Sequence, residues 1–398
     1  MNVSNKALGI APSVTLEIDA KAKKMKADGL DVVGFGAGEP DFNTPRHVIE
    51  AAVKAMDEGK TRYTPASGTI ELRRAICDKL LRDNGLSYTP DQIVVSNGAK
   101  HSLFNAFQAI LNPGDEVLLP APYWVSYYEQ IKMADGVPVP VMSTQEEGFV
   151  VSFEALDAAV TPKTKALLLN SPSNPTGMVY SKEQLQAVAN IALKHDLYII
   201  SDEIYESLVY DGTRHISIAS LSPEIQERTI LVNGLSKAYA MTGWRIGYTA
   251  SNTTLAKVMG NYQSHSTSNP NSIAQAAGIA ALTGNKDELN EMVRQFSERR
   301  EYMVNRVNVI PGFKALMPKG AFYVFVNISG VFGKHTPAGA EINSALDFSK
   351  YLLEDKLCAV VPGEAFGDAR YIRLAYATDM NSIKKGLDRI EEFVRELK

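Results

Sequence analysis

The sequence predicts an α/β fold: a large domain with a mostly parallel central sheet flanked by helices, and a smaller α+β domain after it. Three observations carry this. The middle of the chain alternates short apolar runs with helical patterns, the signature of strand–helix–strand units. Those runs are apolar throughout rather than at every second position, which marks strands buried on both faces, as in a parallel sheet under helices. From about Lys286 that alternation gives way to a long charged helix and a mixed set of strands and helices. At 398 residues the chain suits two or three domains.

In chain order, residues 1–45 read as an arm that joins the small domain, since Gly34 to Asn43 holds too much Gly and Pro for regular structure. Residues 46–285 read as the large domain. Its strands are Ile93–Val95, Val117–Leu119, Ala166–Leu169, Tyr198–Ile200 and Thr229–Val232. Ser102–Leu111 and Ser181–His195 are helical candidates. In the second, Leu185, Val188, Ala189 and Ala192 share one face and Ser181 is the N-cap. Residues 286–398 read as the small domain: a helix from Lys286 to about Asn308, a strand Phe322–Val326, and a helix around Leu346–Lys356. Strands Ala359–Val361 and Tyr371–Ala375 follow. A last helix carries Ile383, Leu387, Ile390, Val394 and Leu397 at amphipathic spacing.

Composition excludes several function classes. Forty-one basic and 45 acidic side chains give a formal charge of −4, which offers no general attraction to nucleic acid or to an anionic membrane. No apolar run reaches the length of a membrane span, and Met1 to Ile10 lacks the pattern of a signal peptide, so a cytoplasmic protein is expected. Cys77 and Cys358 are too few for a disulfide framework. The six histidines (His47, His101, His195, His215, His265, His335) form no His-x-x-x-His pair, so no metal site is expected. Gly59-Lys60-Thr61 lacks the earlier glycine of a P-loop, and Gly34-x-Gly36-x-Gly38 lacks dinucleotide-binding spacing. Lys21, Lys23, Lys24 and Lys26 read as the wet face of a helix, and Arg299 and Arg300 as ordinary surface among glutamates.

Ligands of open α/β sheets bind beyond the carboxyl ends of the strands, so the residues that follow each strand matter most. After Ile93–Val95 comes Ser96-Asn97-Gly98-Ala99-Lys100, small residues that open a helix: a tight turn, or a cradle of N–H groups for phosphate. After Val117–Leu119 comes Pro120-Ala121-Pro122-Tyr123-Trp124, whose Trp is either core or a cover for a planar ring. After Ala166–Leu169, Asn170 to Gly177 holds two X-Pro bonds that fix a loop able to aim the amide of Asn174. After Tyr198–Ile200 comes Ser201-Asp202-Glu203-Ile204-Tyr205, with a carboxylate that is costly to bury without a cation or donors. After Thr229–Val232 come Asn233-Gly234-Leu235-Ser236-Lys237 and Met241-Thr242-Gly243-Trp244-Arg245. Together these put a Lys, an Asp, an Asn, a Tyr, a Trp, an Arg and a helix N-terminus at one rim of one sheet. That set suits a phosphorylated, cationic, aromatic aldehyde.

With these motifs the sequence resembles the class I aminotransferases of the pyridoxal-phosphate (PLP) fold-type-I superfamily, most closely the bacterial aspartate aminotransferase gamma subgroup. The matching segments are Asn174-Pro175-Thr176-Gly177, Ser201 to Tyr205, and Ser236 to Arg245, at matching spacings. Ala37-Gly38-Glu39-Pro40-Asp41-Phe42 and Tyr371-Ile372-Arg373-Leu374 extend the likeness over nearly the whole chain. The resemblance implies PLP held as a Schiff base by Lys237, which then shuttles the proton between Cα and C4′. It implies Asp202 on the pyridine nitrogen, Asn174 and Tyr205 on the phenolic oxygen, and Trp124 stacked on the ring. Gly98, Ala99, Lys100, Ser236 and Arg245 would surround the phosphate. Tyr63 would reach the neighbouring subunit's phosphate, making the active unit a homodimer. Arg373 would take the substrate α-carboxylate through its planar fork, with Gly38 close by. Lys100, Ser13 and Thr15 would meet a distal carboxylate.

The reaction so implied is ping-pong transfer of an amino group from L-aspartate to 2-oxoglutarate, with amino acids and 2-oxo acids as partners. Alternatives on the same fold are alanine, aromatic or prephenate aminotransferases and a carbon–sulfur lyase. Ala11 stands where prephenate users often carry Lys, which weakens that option. Gly234 stands where many relatives place a phosphate-binding Ser, and whether Ser236 compensates is left open. A PLP-binding DNA regulator is not expected, because the family pattern begins by about Pro12.

Overall fold

The computed structural model describes residues 2–398. The first strand, β1 (Val33–Gly34), precedes seven that build the large sheet: β2 (Ile93–Asn97), β3 (Glu116–Ala121), β4 (Val137–Met142), β5 (Thr164–Asn170), β6 (Tyr198–Asp202), β7 (Thr229–Gly234) and β8 (Ile246–Ala250). They lie in the order β2-β8-β7-β6-β5-β3-β4. All pairings are parallel except those of β8, which is antiparallel to both neighbours. Successive residues of one strand enter opposite layers, as the pleat requires. Val117, Leu119, Ala166 and Leu168 pack under Leu103 and Phe107 of the helix Ala99–Ile110. Leu118, Leu167, Leu169 and Ile199 pack against Leu185, Val188 and Ala189 of the helix Lys182–Lys194. Ser181 caps that second helix in a capping box with Gln184.

The apolar runs read in residues 46–285 lie inside the observed strands, but two strands of the large sheet escaped that reading, and the single strand expected over Ala359–Val361 is split into Cys358–Ala359 and Val361–Pro362. In β4, Pro138 and Pro140 hide the pattern; it is an edge strand, where prolines are tolerated. In β8, Gly247 breaks the apolar run, because a side chain there runs straight into the backbone of Gly98 and Ala99.

The second sheet has the order β12-β13-β10-β9, from β9 (Lys314–Ala315), β10 (Tyr323–Asn327), β12 (Val361–Pro362) and β13 (Tyr371–Ala375). The remaining strand, β11 (Cys358–Ala359), pairs parallel with β1. Phe35 extends this contact, its N–H donating to Ala359 O and its carbonyl accepting from Ala375 N. The N-terminal segment is thereby stitched into the C-terminal sheet. Gly36 to Asn43 forms no helix or strand. Lys21, Lys23, Lys24 and Lys26 are exposed on the helix Val14–Ala27. Among the described residues no helix is long and apolar enough to cross a membrane.

Arg299 and Arg300 correct the sequence reading: they are buried. Arg299 donates to Asp41 Oδ1 at 2.7 Å, and Arg300 to Asp211 Oδ1 and Pro318 O, each at 2.8 Å. The glutamates of the helix Asp287–Val307 lie on its outer side, whereas these guanidiniums lie over Phe42 and Tyr210. Their acidic partners are far off in sequence, so local charge pattern could not reveal them.

Candidate active site

Five strand ends converge on one cavity of about 300 Å³. At the end of β6, Asp202 is buried, its Oδ2 accepting from Tyr127 OH at 2.7 Å and its Oδ1 from Ile204 N at 3.2 Å. Burial lifts its carboxyl from an ordinary 3.8 to about 6, against the two hydrogen bonds and the Lys237 charge, which favour the ionised form. Beyond β7, Lys237 donates to Gly38 O. Burial brings its amine down to about 8, opposed by Glu39 and assisted by Arg245 and Arg373. An amine near neutrality and a carboxyl of raised pKa, in one cleft, are the mark of a chemical site.

At the end of β2 the chain turns through Gly98 (φ +85°) into the helix Ala99–Ile110. A side chain at 98 would collide with the Arg245 guanidinium, which donates to Thr242 O at 2.9 Å. Open N–H groups at a helix start, with a guanidinium beside them, form an anion cradle. Ser236 lines the same cavity. No serine would fit at 234 as the chain lies, because a Cβ there starts 2.8 Å from Ile246 O.

Beyond β3, Trp124 starts the helix Val125–Met133, whose first turn brings Tyr127 to Asp202. The Lys100 ammonium sits 4.9 Å from the centre of the Trp124 ring system, with its pKa pulled down by burial and by Arg245. Ser13 and Thr15 join their hydroxyls at 3.0 Å on the same cavity. Beyond β5, Asn170 donates to Asp202 O at 3.0 Å and accepts from Asn174 N at 2.9 Å, tying the loop to the neighbouring strand. The Ser171–Pro172 and Asn174–Pro175 bonds are both cis, as is Ala121–Pro122. The loop's far end is pinned at Gly177, whose carbonyl accepts from Lys319 N and Gly320 N.

Arg373 enters from β13. It is buried, donating to Asn174 Oδ1 at 3.1 Å and to Gly36 O at 2.9 Å, with its guanidinium over the rings of Tyr323 and Phe366. Among the described residues no carboxylate pairs with it, so its charge is open to an incoming anion.

Thirteen residues singled out from sequence therefore line one cavity: Ser13, Thr15, Gly38, Ala99, Lys100, Trp124, Asn174, Asp202, Tyr205, Ser236, Lys237, Arg245 and Arg373. Gly98 lies directly behind Arg245. Tyr63 does not line it and stands 91% exposed. Sequence reasoning missed Tyr127 and Tyr323. Tyr127 had a signal, one helical turn after Trp124 at a helix start; Tyr323 had none inside an apolar strand.

Just behind Asp202 lies a buried charge cluster. Glu203, Glu206 and His215 bring possible metal-ligand atoms within 4.8 Å of one another. Lys79 already supplies a cation by bonding Glu206, which also accepts from Asn84 at 2.9 Å and Asn233 at 2.7 Å. Glu203 is likewise engaged, accepting from Ser201 at 2.9 Å, Ser217 at 2.7 Å and lying 2.9 Å from His215 Nε2. The arrangement is an internal ion network that braces the Asp202–Tyr205 turn.

The chain matches the family model of class I and II aminotransferases over residues 30–390. It is 48% identical over 396 residues to an aspartate aminotransferase of Bacillus subtilis, both chains being covered in full. It superposes on the crystal structure of an aspartate aminotransferase from Rhizobium meliloti with a TM-score of 0.97, at 46% identity over 100% of each chain. For an aspartate aminotransferase from Thermus thermophilus with maleate, the TM-score is 0.92 at 43% identity, covering 99% of this chain and 100% of that one.

Proposed function

The chain belongs to the class I and II aminotransferases, and from that premise we propose that it moves the amino group of L-aspartate to 2-oxoglutarate at the cavity described above. The single observation that carries the substrate is the pair of separate cationic heads in one cavity: Arg373, held by neutral acceptors, and Lys100, in a cavity also lined by the hydroxyls of Ser13 and Thr15. Among the described residues neither is paired with a carboxylate, Arg373 is buried as well, and each suits a carboxylate; both substrates of this reaction carry two.

The cofactor is pyridoxal 5′-phosphate, and the donor set fits it. The helix start at Gly98–Lys100, Ser236 and Arg245 match a phosphate; buried Asp202 matches a cationic ring nitrogen; Lys237 matches an aldehyde. When bound, PLP supplies an aldehyde that captures the amine and a protonated ring that accepts the electron pair freed at Cα. Lys237, with an amine near neutrality, acts as nucleophile toward that aldehyde and as carrier of the Cα proton. Asp202, oriented by Tyr127 and Ile204 N–H, holds the ring nitrogen in its protonated form. Asn174 has its Oδ1 taken by Arg373, which leaves its amide N–H groups for the phenolic oxygen beside Tyr205. Trp124 covers the ring, Gly38 allows close passage of the substrate, and Arg373 orients the substrate through its fork.

The working unit in this reading is a homodimer in which Tyr63 crosses to the partner's phosphate. Supporting this, a large phenol at 91% exposure is unexplained on a lone chain. Residues 46–285 act as the cofactor-holding domain, with 1–45 and 286–398 as the second. A reducing cytoplasm suits its two unpaired cysteines.

The test is a coupled assay of pure, PLP-loaded protein with aspartate and 2-oxoglutarate, following oxaloacetate. Lys100→Ala should raise KM for aspartate by about tenfold or more, the worth of one charge-assisted contact, and leave KM for alanine nearly unmoved. Silence with aspartate alongside brisk turnover of alanine or an aromatic amino acid refutes the substrate and keeps the class. Pyruvate or ammonia released without a keto-acid acceptor points to a lyase instead.

A further inference from the structure

Tyr323 is a buried phenol beside Tyr205 and Arg373. It opens β10, is 1% exposed, and lines the cavity. Its hydroxyl lies 2.9 Å from that of Tyr205. The Arg373 guanidinium lies over its ring, 4.4 Å from the centre. The same hydroxyl is 3.5 Å from the point where a side chain at Gly38 would begin, so it faces the space where substrate passes.

We propose that Tyr323 is a positioning residue that joins the carboxylate fork of Arg373 to the phenol of Tyr205, its ring fixing the one and its hydroxyl polarising the other. The proposal rests on the reading above, in which Tyr205 donates to the cofactor's phenolic oxygen and Arg373 binds the α-carboxylate. A phenol has a single proton to donate. If Tyr205 spends it on the cofactor, the contact between the two hydroxyls can only run from Tyr323 to Tyr205. Accepting that bond makes Tyr205 a stronger donor, because neighbouring hydrogen bonds polarise one another in a buried setting. The electron-rich ring face meanwhile holds the guanidinium flat, with Phe366 5.1 Å away and the acceptors Asn174 and Gly36 fixing its edge. One side chain thus sets the geometry of the group that binds substrate and the strength of the group that tunes the cofactor.

Two substitutions separate the two halves. Tyr323→Phe keeps the ring and removes the hydroxyl. In PLP-loaded protein without substrate, the titration midpoint of the visible absorption band should rise by about 0.3–1 pH unit, the size of one neutral hydrogen bond. The Kd of the unreactive dicarboxylate succinate, read from the same band, should stay within twofold. Tyr323→Leu removes the ring as well and should weaken succinate by about 5- to 30-fold, the worth of a desolvated cation–π contact. Tyr205→Phe, run alongside, must raise the midpoint too. If Tyr205→Phe shifts the midpoint and Tyr323→Phe leaves it within 0.1 unit, the proposal falls while the reading of the site stands. If neither moves it, the role given to Tyr205 is wrong and the proposal goes with it. Succinate binding unchanged in a folded Tyr323→Leu protein refutes the ring's part.

Discussion

Asp202 should weaken the cofactor-free protein, and the size of that effect follows from its surroundings. Its carboxyl titrates at about 6 in the folded chain against an ordinary 3.8. A group whose folded pKa is raised releases its proton more readily when unfolded, so stability falls as pH climbs from the unfolded value to the folded one and is level above it. For 3.8 and about 6, the cost is about 1.6 kcal/mol at pH 5 and about 3 kcal/mol at pH 8. Asn in place of Asp202 abolishes the ionisation and keeps an oxygen for Tyr127. Asp202→Asn, freed of cofactor, should therefore resist urea better than the parent, with the advantage about 1.4 kcal/mol larger at pH 8 than at pH 5. Loaded with PLP, the same variant should lose most of its turnover, as a positioned site gains stability at the expense of its chemistry. The assay is equilibrium urea denaturation of both cofactor-free proteins at the two pH values. A variant that is weaker than the parent by the same amount at pH 5 and pH 8 refutes the reasoning, for it means the carboxylate is at ease where it lies.

Three further outcomes test the rest of the site. The rate at which PLP attaches to the cofactor-free protein, followed by visible absorption, should rise with pH through about 8 and then level, since only the neutral amine of Lys237 attacks; Lys237→Ala should still bind the cofactor but lose turnover by several orders of magnitude. Tyr63→Phe and Lys237→Ala proteins, unfolded together and refolded as a mixture, should regain activity beyond either alone, because a mixed dimer holds one site with both residues intact; no gain means Tyr63 does not cross between subunits.

How much of this was legible depended on how far each signal reached along the chain. The core strands β3, β5, β6 and β7 have apolar centres, and Trp124, Asn174, Asp202, Tyr205 and Lys237 sit between the last residue of a strand and four residues beyond it, so local reading found them. The capped helix Lys182–Lys194 was legible for the same reason. Failures came where the deciding partner was remote. Arg299 and Arg300 look like surface charge until Asp41 and Asp211 are brought to them by the fold. Gly247 weakens a strand pattern for the sake of a helix start nearly 150 positions earlier in the chain. Tyr323 reads as core because it is core; only register with β13, which sets Arg373 opposite Phe325, turns its ring toward the site.

The same logic explains how the site is held. Lys237 and Asp202 are pushed toward neutrality from opposite sides by burial, and neither is hydrogen-bonded to the other. Direct contact between the two charges would offset part of both penalties. What prevents this is the ring of fixed partners: Gly38 O takes the Lys237 amine, Tyr127 and Ile204 N–H take the Asp202 oxygens, and the Lys79–Glu206–Asn233 network braces the turns that carry them. A ligand that brings a cation to Asp202 and bonds the amine of Lys237 relieves both strains at once without moving either residue. The cofactor's affinity is thus partly stored in the fold before it arrives, as expected of a site built for electrostatic preorganisation.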